Sequence, residues 1–276
     1  MMARSAAILN SGRMHQFEAD FPVSTEQKRL LTYGAVLFTR NTESCRTLRL
    51  RADKSKVIAA LASWWSIRNR EDAISTVKDL SAANRHTLFA DDVYKTLVLN
   101  GRLSPLRPED LRNITGLENA YQSTIDRVSD SVVNPDKMTD EEKGIFQDRV
   151  RSELAARINA GIECYRTARD MLIYLGYSER ELARIKSTAA WDFGRASVIA
   201  RDSVKTRYME ENEAWEFMRT AADNAARLYS DWREYLAGYV FGRALGYGSN
   251  SKDIYAVLRF LLNNKNSPFR EVSFSQ

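Results

Sequence analysis

Two histidines and two cysteines are all that the 276 residues offer for metal or thiol chemistry. Cys45 and Cys164 match no zinc or redox spacing, and His15 and His86 are too few for a multi-histidine centre, so neither a metal site nor a cofactor is expected. Twelve glycines and five prolines leave little material for the many turns of an all-β fold. The longest apolar runs, such as Val57–Trp65 and Met171–Tyr174, fall well short of the roughly 18 residues that a membrane span requires, so no membrane insertion is expected. The first ten residues, Met-Met-Ala-Arg-Ser-Ala-Ala-Ile-Leu-Asn, lack a sustained apolar segment followed by a small-residue cleavage site. That predicts no export signal and a reduced cytoplasmic location, although a secretion machine that reads folded proteins would leave no such mark. No basic block with interleaved aromatics is present, so nucleic acid is not an expected partner; the net charge of +5 permits an acidic one.

What is present is an ordinary balance of 44% hydrophobic and 28% charged residues, arranged almost everywhere at helical spacing. Broad apolar faces predict helices over Thr25–Thr39 and Lys54–Trp65. Asn69 caps a third helix with Glu71 and Asp72 in its first turn. A short helix near Asp91–Leu99 stops at Asn100-Gly101, and one or two short helices interrupted at Gly116 fill Glu109–Val128. Thr139 with Glu142 forms a capping box that opens the longest helix, which runs to Leu175 and has Gly161 as a bend point. Ser178 with Glu181 forms a second box. Further helices begin near Asn212, after Ser230 and Asp231, and at Ser251 and Asp253. The fold class expected is all-α, a compact domain of about ten helices without a confident strand. Residues 1–24 form a loose arm or a short docked segment, 25–263 a single helical domain with a possible break near 133–138, and 264–276 an extended or disordered tail.

The chain centres on Ala189–Arg201 and Trp232–Gly246. Helical spacing lets Asp192 and Arg195 touch, flanked by Trp191 and Phe193. Gly238, Gly242 and Gly246 recur every four residues and make a strip where another helix can approach, with Gly194 as counterpart. Trp191, Gly194, Trp215, Trp232, Gly238 and Gly242 are accordingly assigned structural roles. Asp192 with Arg195 is the best polar constellation, either an internal clamp or a pocket in which Arg195 and Arg243 hold an anionic ligand. His86 with Arg85 and Asp91 offers a general base and its orienting group, but no nucleophile accompanies it. Asp136, Asp140, Glu141 and Glu142 lack the alternation of a calcium loop and read as helix capping. Trp64, Trp65, Trp191, Trp215 and Trp232 read as core rather than as the lining of a ligand pocket.

Several separated clusters, Trp64-Trp65-Ser66-Ile67-Arg68-Asn69-Arg70-Glu71-Asp72-Ala73, Trp191-Asp192-Phe193-Gly194-Arg195, Glu213-Ala214-Trp215, Trp232-Arg233-Glu234-Tyr235 and Gly238-Tyr239-Val240-Phe241-Gly242-Arg243, occur in an order that resembles the bacterial YbeU/YbeR-like family, domain of unknown function 1266. The likeness covers about residues 25–250 and departs from the family's Gly-His-Arg at Asn84-Arg85-His86. The resemblance implies a link to interbacterial competition and no particular reaction. With no catalytic motif in the chain, the first functional expectation is a non-catalytic adaptor or immunity-like protein that binds another protein. The alternative is a hydrolase or toxin-like effector using Asp192, Arg195 and His86, and a third reading is a binder of anionic ligands or nucleic acid.

Overall fold

The computed structural model describes residues 12–84, 86–129 and 138–275, and every regular element among them is helical. In chain order the α-helices are α1 (Gly12–Asp20), α2 (Thr25–Thr32), α3 (Ala35–Arg40), α4 (Lys54–Trp65), α5 (Arg70–Ser81), α6 (His86–Val93), α7 (Glu118–Ser129), α8 (Asp140–Tyr174), α9 (Glu179–Leu182), α10 (Ala190–Thr206), α11 (Glu211–Leu228), α12 (Trp232–Tyr247), α13 (Tyr255–Asn263) and α14 (Pro268–Glu271). A π-helical turn, Tyr94–Val98, continues α6, and short 3-10 turns cover Asp110–Asn113 and Lys252–Ile254. The chain forms two compact units, one from the residues up to Asn84, Ala189–Tyr239 and Lys252 onward, the other from Arg85–Thr188 and Val240–Ser251. The span 25–263 is thus divided between two units, and the break expected near 133–138 falls, but for its last residue, outside the described residues.

The first unit is built around α10, whose residues from Ala190 to Arg201 are all buried. A helix with no solvent face must be covered on every side. The cover comes from α11, α5, α4 and α3. Local sequence starts these helices as expected: Asn69 Oδ1 accepts the amide of Asp72 at 2.8 Å, and Ser24 and Gln27 form a reciprocal capping box ahead of α2. The helix expected over Thr25–Thr39 is interrupted at Tyr33-Gly34. A Cβ at Gly34 would lie 2.7 Å from the ring of Phe38 and 3.1 Å from Ser197 Cβ, so a side chain here would displace that ring and press on α10.

Of the two alternatives for residues 1–24, the described part matches the short docked segment, whereas the described part of the tail departs from an extended or disordered one. Within 1–24, Gly12–Asp20 is helical and Met14 is fully buried. The tail folds as well. Ser267 caps α14, which has Pro268 at its first position, and Phe274 beyond it is buried. Tyr33 Oη donates to the carbonyl of Phe274 at 2.7 Å, Trp232 Nε1 donates to that of Val272 at 3.0 Å, and the indole of Trp232 stacks on Phe269 with centroids 4.9 Å apart. Aromatic residues scattered through a polar tail carry too little periodicity to announce this docking.

The second unit is organised by α8, 35 residues opened by the Thr139–Glu142 capping box. Val150, Leu154, Ile158, Ile162, Tyr165 and Leu172 form its buried stripe. The helix runs through Gly161 without a break. Glycine is needed there for another reason: a Cβ would come within 3.0 Å of the Leu245 carbonyl oxygen and 3.3 Å of its Cα, so the backbones of α8 and α12 touch at this point. Around it Tyr94, Tyr165 and Phe241 pack with ring centroids 4.7–6.2 Å apart.

Candidate functional site

Asp192, Arg195 and Asp91, three of the polar residues that sequence reasoning singled out, are buried and bonded within the protein. Asp192 and Arg195 form an ion pair whose side chains are 0% and 5% exposed. Arg195 Nε also donates to the Trp191 carbonyl at 3.3 Å, and its guanidinium lies 4.5 Å from the Trp191 ring and 5.4 Å from that of Trp65. The pair lies within α10, and the guanidinium links it to α4 through the ring of Trp65, so its burial suits packing better than an open ligand site. Arg195 belongs to the first unit and Arg243 to the second, where it is 5% exposed and equally enclosed.

Asp91 is a fastener. Its carboxylate accepts from Ser187 Oγ at 3.0 Å, Thr188 N at 2.6 Å and Thr188 Oγ1 at 2.7 Å, and pairs with Lys95 at 3.0 Å. With Tyr94 Oη donating to the Ile185 carbonyl at 3.1 Å, it pins the 185–188 segment against α6 and its π turn. Arg85 and the side chain of His86 lie outside what the structure describes. Of the acidic quartet, Asp140, Glu141 and Glu142 occupy the first turn of α8, and Asp136 falls outside the described residues. No group of three or more His, Cys, Asp or Glu side chains suited to a metal ion occurs among the described residues.

The glycines make room for tyrosines. A Cβ on Gly194 would lie 2.8 Å from the ring of Tyr239 and 3.2 Å from the Tyr33 carbonyl oxygen, and one on Gly238 would lie 2.6 Å from the ring of Tyr229. The expected meeting of 189–201 with the start of α12 is therefore present within the first unit, but as glycine against aromatic ring instead of glycine against glycine. Gly242 is buried in the second unit. Trp191 and Trp232 are each 7% exposed, in keeping with core, whereas Trp65 and Trp215 are half-buried. Trp64 corrects the reading outright at 77% exposed. Neighbouring positions on a helix point about 100° apart, so Trp64 and Trp65 cannot both face the core.

Arg201 was not singled out for its own role, yet it holds the wall of an open cavity on the first unit. Its side chain is fully buried, with the guanidinium 4.5 Å from the Phe38 ring, and it donates to the carbonyls of Ser44 at 2.8 Å, Leu48 at 3.1 Å and Arg49 at 2.5 Å. Burial pulls the guanidinium pKa below its ordinary value, opposed by the nearby Glu43. Glu43 accepts from the amides of Arg51 and Ala52 at 3.1 and 3.0 Å, and Lys205 Nζ donates to the Leu50 carbonyl at 3.0 Å. These groups bolt the irregular stretch 43–52 onto α10. The sequence signal was an arginine and a lysine four residues apart near the end of a helix.

The bolted stretch forms one wall of an open cavity of about 710 Å³ in the first unit. Phe17, Phe21, Leu48, Leu50, Val204 and Met209 give it an apolar lining, and Arg49, Lys54, Lys205, Arg207, Glu210 and Glu211 bring the charges. A smaller cavity of about 280 Å³, which reaches Pro22, Val23 and Trp215, shares Phe21, Leu48, Arg49 and Glu211 with it. The two are therefore neighbours along one trough. Arg49 and Glu211 pair at 2.5 Å where they meet, whereas Lys54 and Arg207 have no acidic partner among the described residues.

The uncharacterized protein YbeR of Escherichia coli (strain K12) is 36% identical to this chain over 76 residues, 28% of this chain and 32% of that protein. The aligned stretch thus spans about a third of the relative's length. No solved structure matches the chain. A family model described as "Protein of unknown function (DUF1266)" matches residues 60–274, so the α10 and α11 side of the trough lies inside the match and the wall from Phe17 to Lys54 ahead of it. Because that match covers most of the chain, the protein belongs to the DUF1266 family.

Proposed function

We propose that this protein is a non-catalytic binding scaffold, an adaptor or immunity-like chain that recognises another protein through its helical surface. The observation that carries the reading is the trough of the first unit, an apolar floor flanked by unpaired cations. Such a surface offers a partner buried apolar area together with charge for steering and register. The sealed state of Asp192 and Arg195 supports the same view, since the best polar pair of the chain serves packing. Trp64 adds a second apolar feature on the surface, of a residue type that is enriched among the anchors of protein interfaces. We place the protein in the cytoplasm, where its two thiols remain reduced, and in interbacterial competition, the setting that the family resemblance suggests.

The test is purification of the tagged full-length protein from its own cells at moderate salt, with mass spectrometry of what accompanies it. One protein recovered in stoichiometric amount, and absent from an unrelated bait, is the expected result. Recovery of the bait alone, together with growth arrest on overexpression, would favour an effector enzyme instead.

A further inference from the structure

We infer that the trough receives a peptide segment of the partner in which apolar side chains are combined with carboxylates. This rests on the protein-binding reading above and gives it a site and a chemistry. Six charged side chains border the larger cavity, four of them cations (Arg49, Lys54, Lys205, Arg207) and two carboxylates (Glu210, Glu211). One of the carboxylates is committed within the protein: Glu211 pairs with Arg49, while Glu210 gives its amide to the Glu213 carboxylate at 3.0 Å. Lys54 and Arg207 are exposed and lack any acidic partner, and Lys205 has only the Leu50 carbonyl. An incoming carboxylate therefore meets free positive charge, and an incoming cation would meet a surplus of it.

The floor and the wall specify the rest. Phe17, Phe21, Leu48 and Met209 present apolar surface that a purely polar anion would leave wet. The carbonyls of Leu48, Arg49 and Leu50 already accept from Arg201 and Lys205. Those acceptors are occupied, which disfavours strand addition along the 48–50 stretch and leaves recognition to side chains. A nucleic-acid backbone fits poorly, because two carboxylates stand on the rim and no stacking platform is combined with a continuous run of cations.

The experiment is panning of a phage-displayed library of random 12-residue peptides on the full-length protein, followed by fluorescence anisotropy of the enriched peptides on the wild type, on K54E/R207E and on the control R180E. Both groove positions are exposed, so the double variant should melt with the wild type, which a thermal scan verifies. Expected are peptides that combine Asp or Glu with Leu, Ile, Phe or Trp, bound at least tenfold more weakly by K54E/R207E and equally well by R180E. The proposal is overturned if nothing is enriched over the blank surface, if the enriched peptides are basic or lack apolar residues, if a single-stranded oligonucleotide displaces them equally well, or if K54E/R207E binds like the wild type. A stoichiometric cellular partner that stays with K54E/R207E would keep the protein-binding reading and reject this site.

Discussion

At the scale of single residues, the side chains that matter most are charges placed where water cannot reach them. Arg201 is the clearest case, because its three hydrogen bonds go to carbonyls of a stretch with no regular structure of its own. Replacing it with Met keeps most of the volume and leaves those acceptors without a donor. The expected loss is about 3–5 kcal/mol of stability, read from urea unfolding, because an arginine that satisfies several buried groups is costly to remove. Its neighbour Asp202, which keeps part of its surface exposed, behaves differently. The carboxyl is pushed up from its ordinary 3.8 to about 7, chiefly by burial and in part by Glu43, with Arg201 pulling the other way. Between those two values the folded state holds the proton and the unfolded chain does not, so this group makes stability fall as pH rises towards 7. Asp202→Asn should therefore flatten the pH dependence of the melting temperature across that window and raise it at pH 8. A slope identical to the wild type would mean that Asp202 titrates normally. Burial likewise pushes the Cys45 thiol up to about 12, which should keep it unreactive towards a thiol reagent at pH 8 until the protein unfolds.

At the scale of elements, much of the architecture was legible because it is written locally. The capping boxes at Thr139 and Ser178 and the cap at Asn69 stand where the residue types predicted, since a cap needs only a side chain three residues from its amide. The division at Gly116, which lies between the 3-10 turn and α7 at φ 86°, was equally visible. What escaped were features decided by distant neighbours. The break at Tyr33-Gly34, the docking of the tail on Trp232 and the exposure of Trp64 depend on what each face meets, and periodicity carries no such information. Gly161 illustrates the point, since from sequence it reads as a bend and in the fold it is the contact point of two helices. Gly161→Val should cost about 1–3 kcal/mol in chemical denaturation, because the added carbons press on the backbone near Leu245 and not on a side chain that can turn away. An unchanged midpoint would mean that α8 and α12 are farther apart than described. The trough itself was illegible. Its wall is an irregular stretch, and its lining comes from three separate parts of the chain.

At the scale of the molecule, the family match extends over residues 60–274, while half of the larger cavity's lining is supplied by residues ahead of it. No helix among the described residues is long and apolar enough to cross a membrane. The central claim is that the chain works by holding another protein in this trough, and the most direct measurement compares what co-purifies with the wild type and with K54E/R207E from the same cells at the same salt. The account predicts one stoichiometric protein with the wild type, reduced at least tenfold with the double variant while the melting temperature stays the same. Equal recovery on both baits would contradict it.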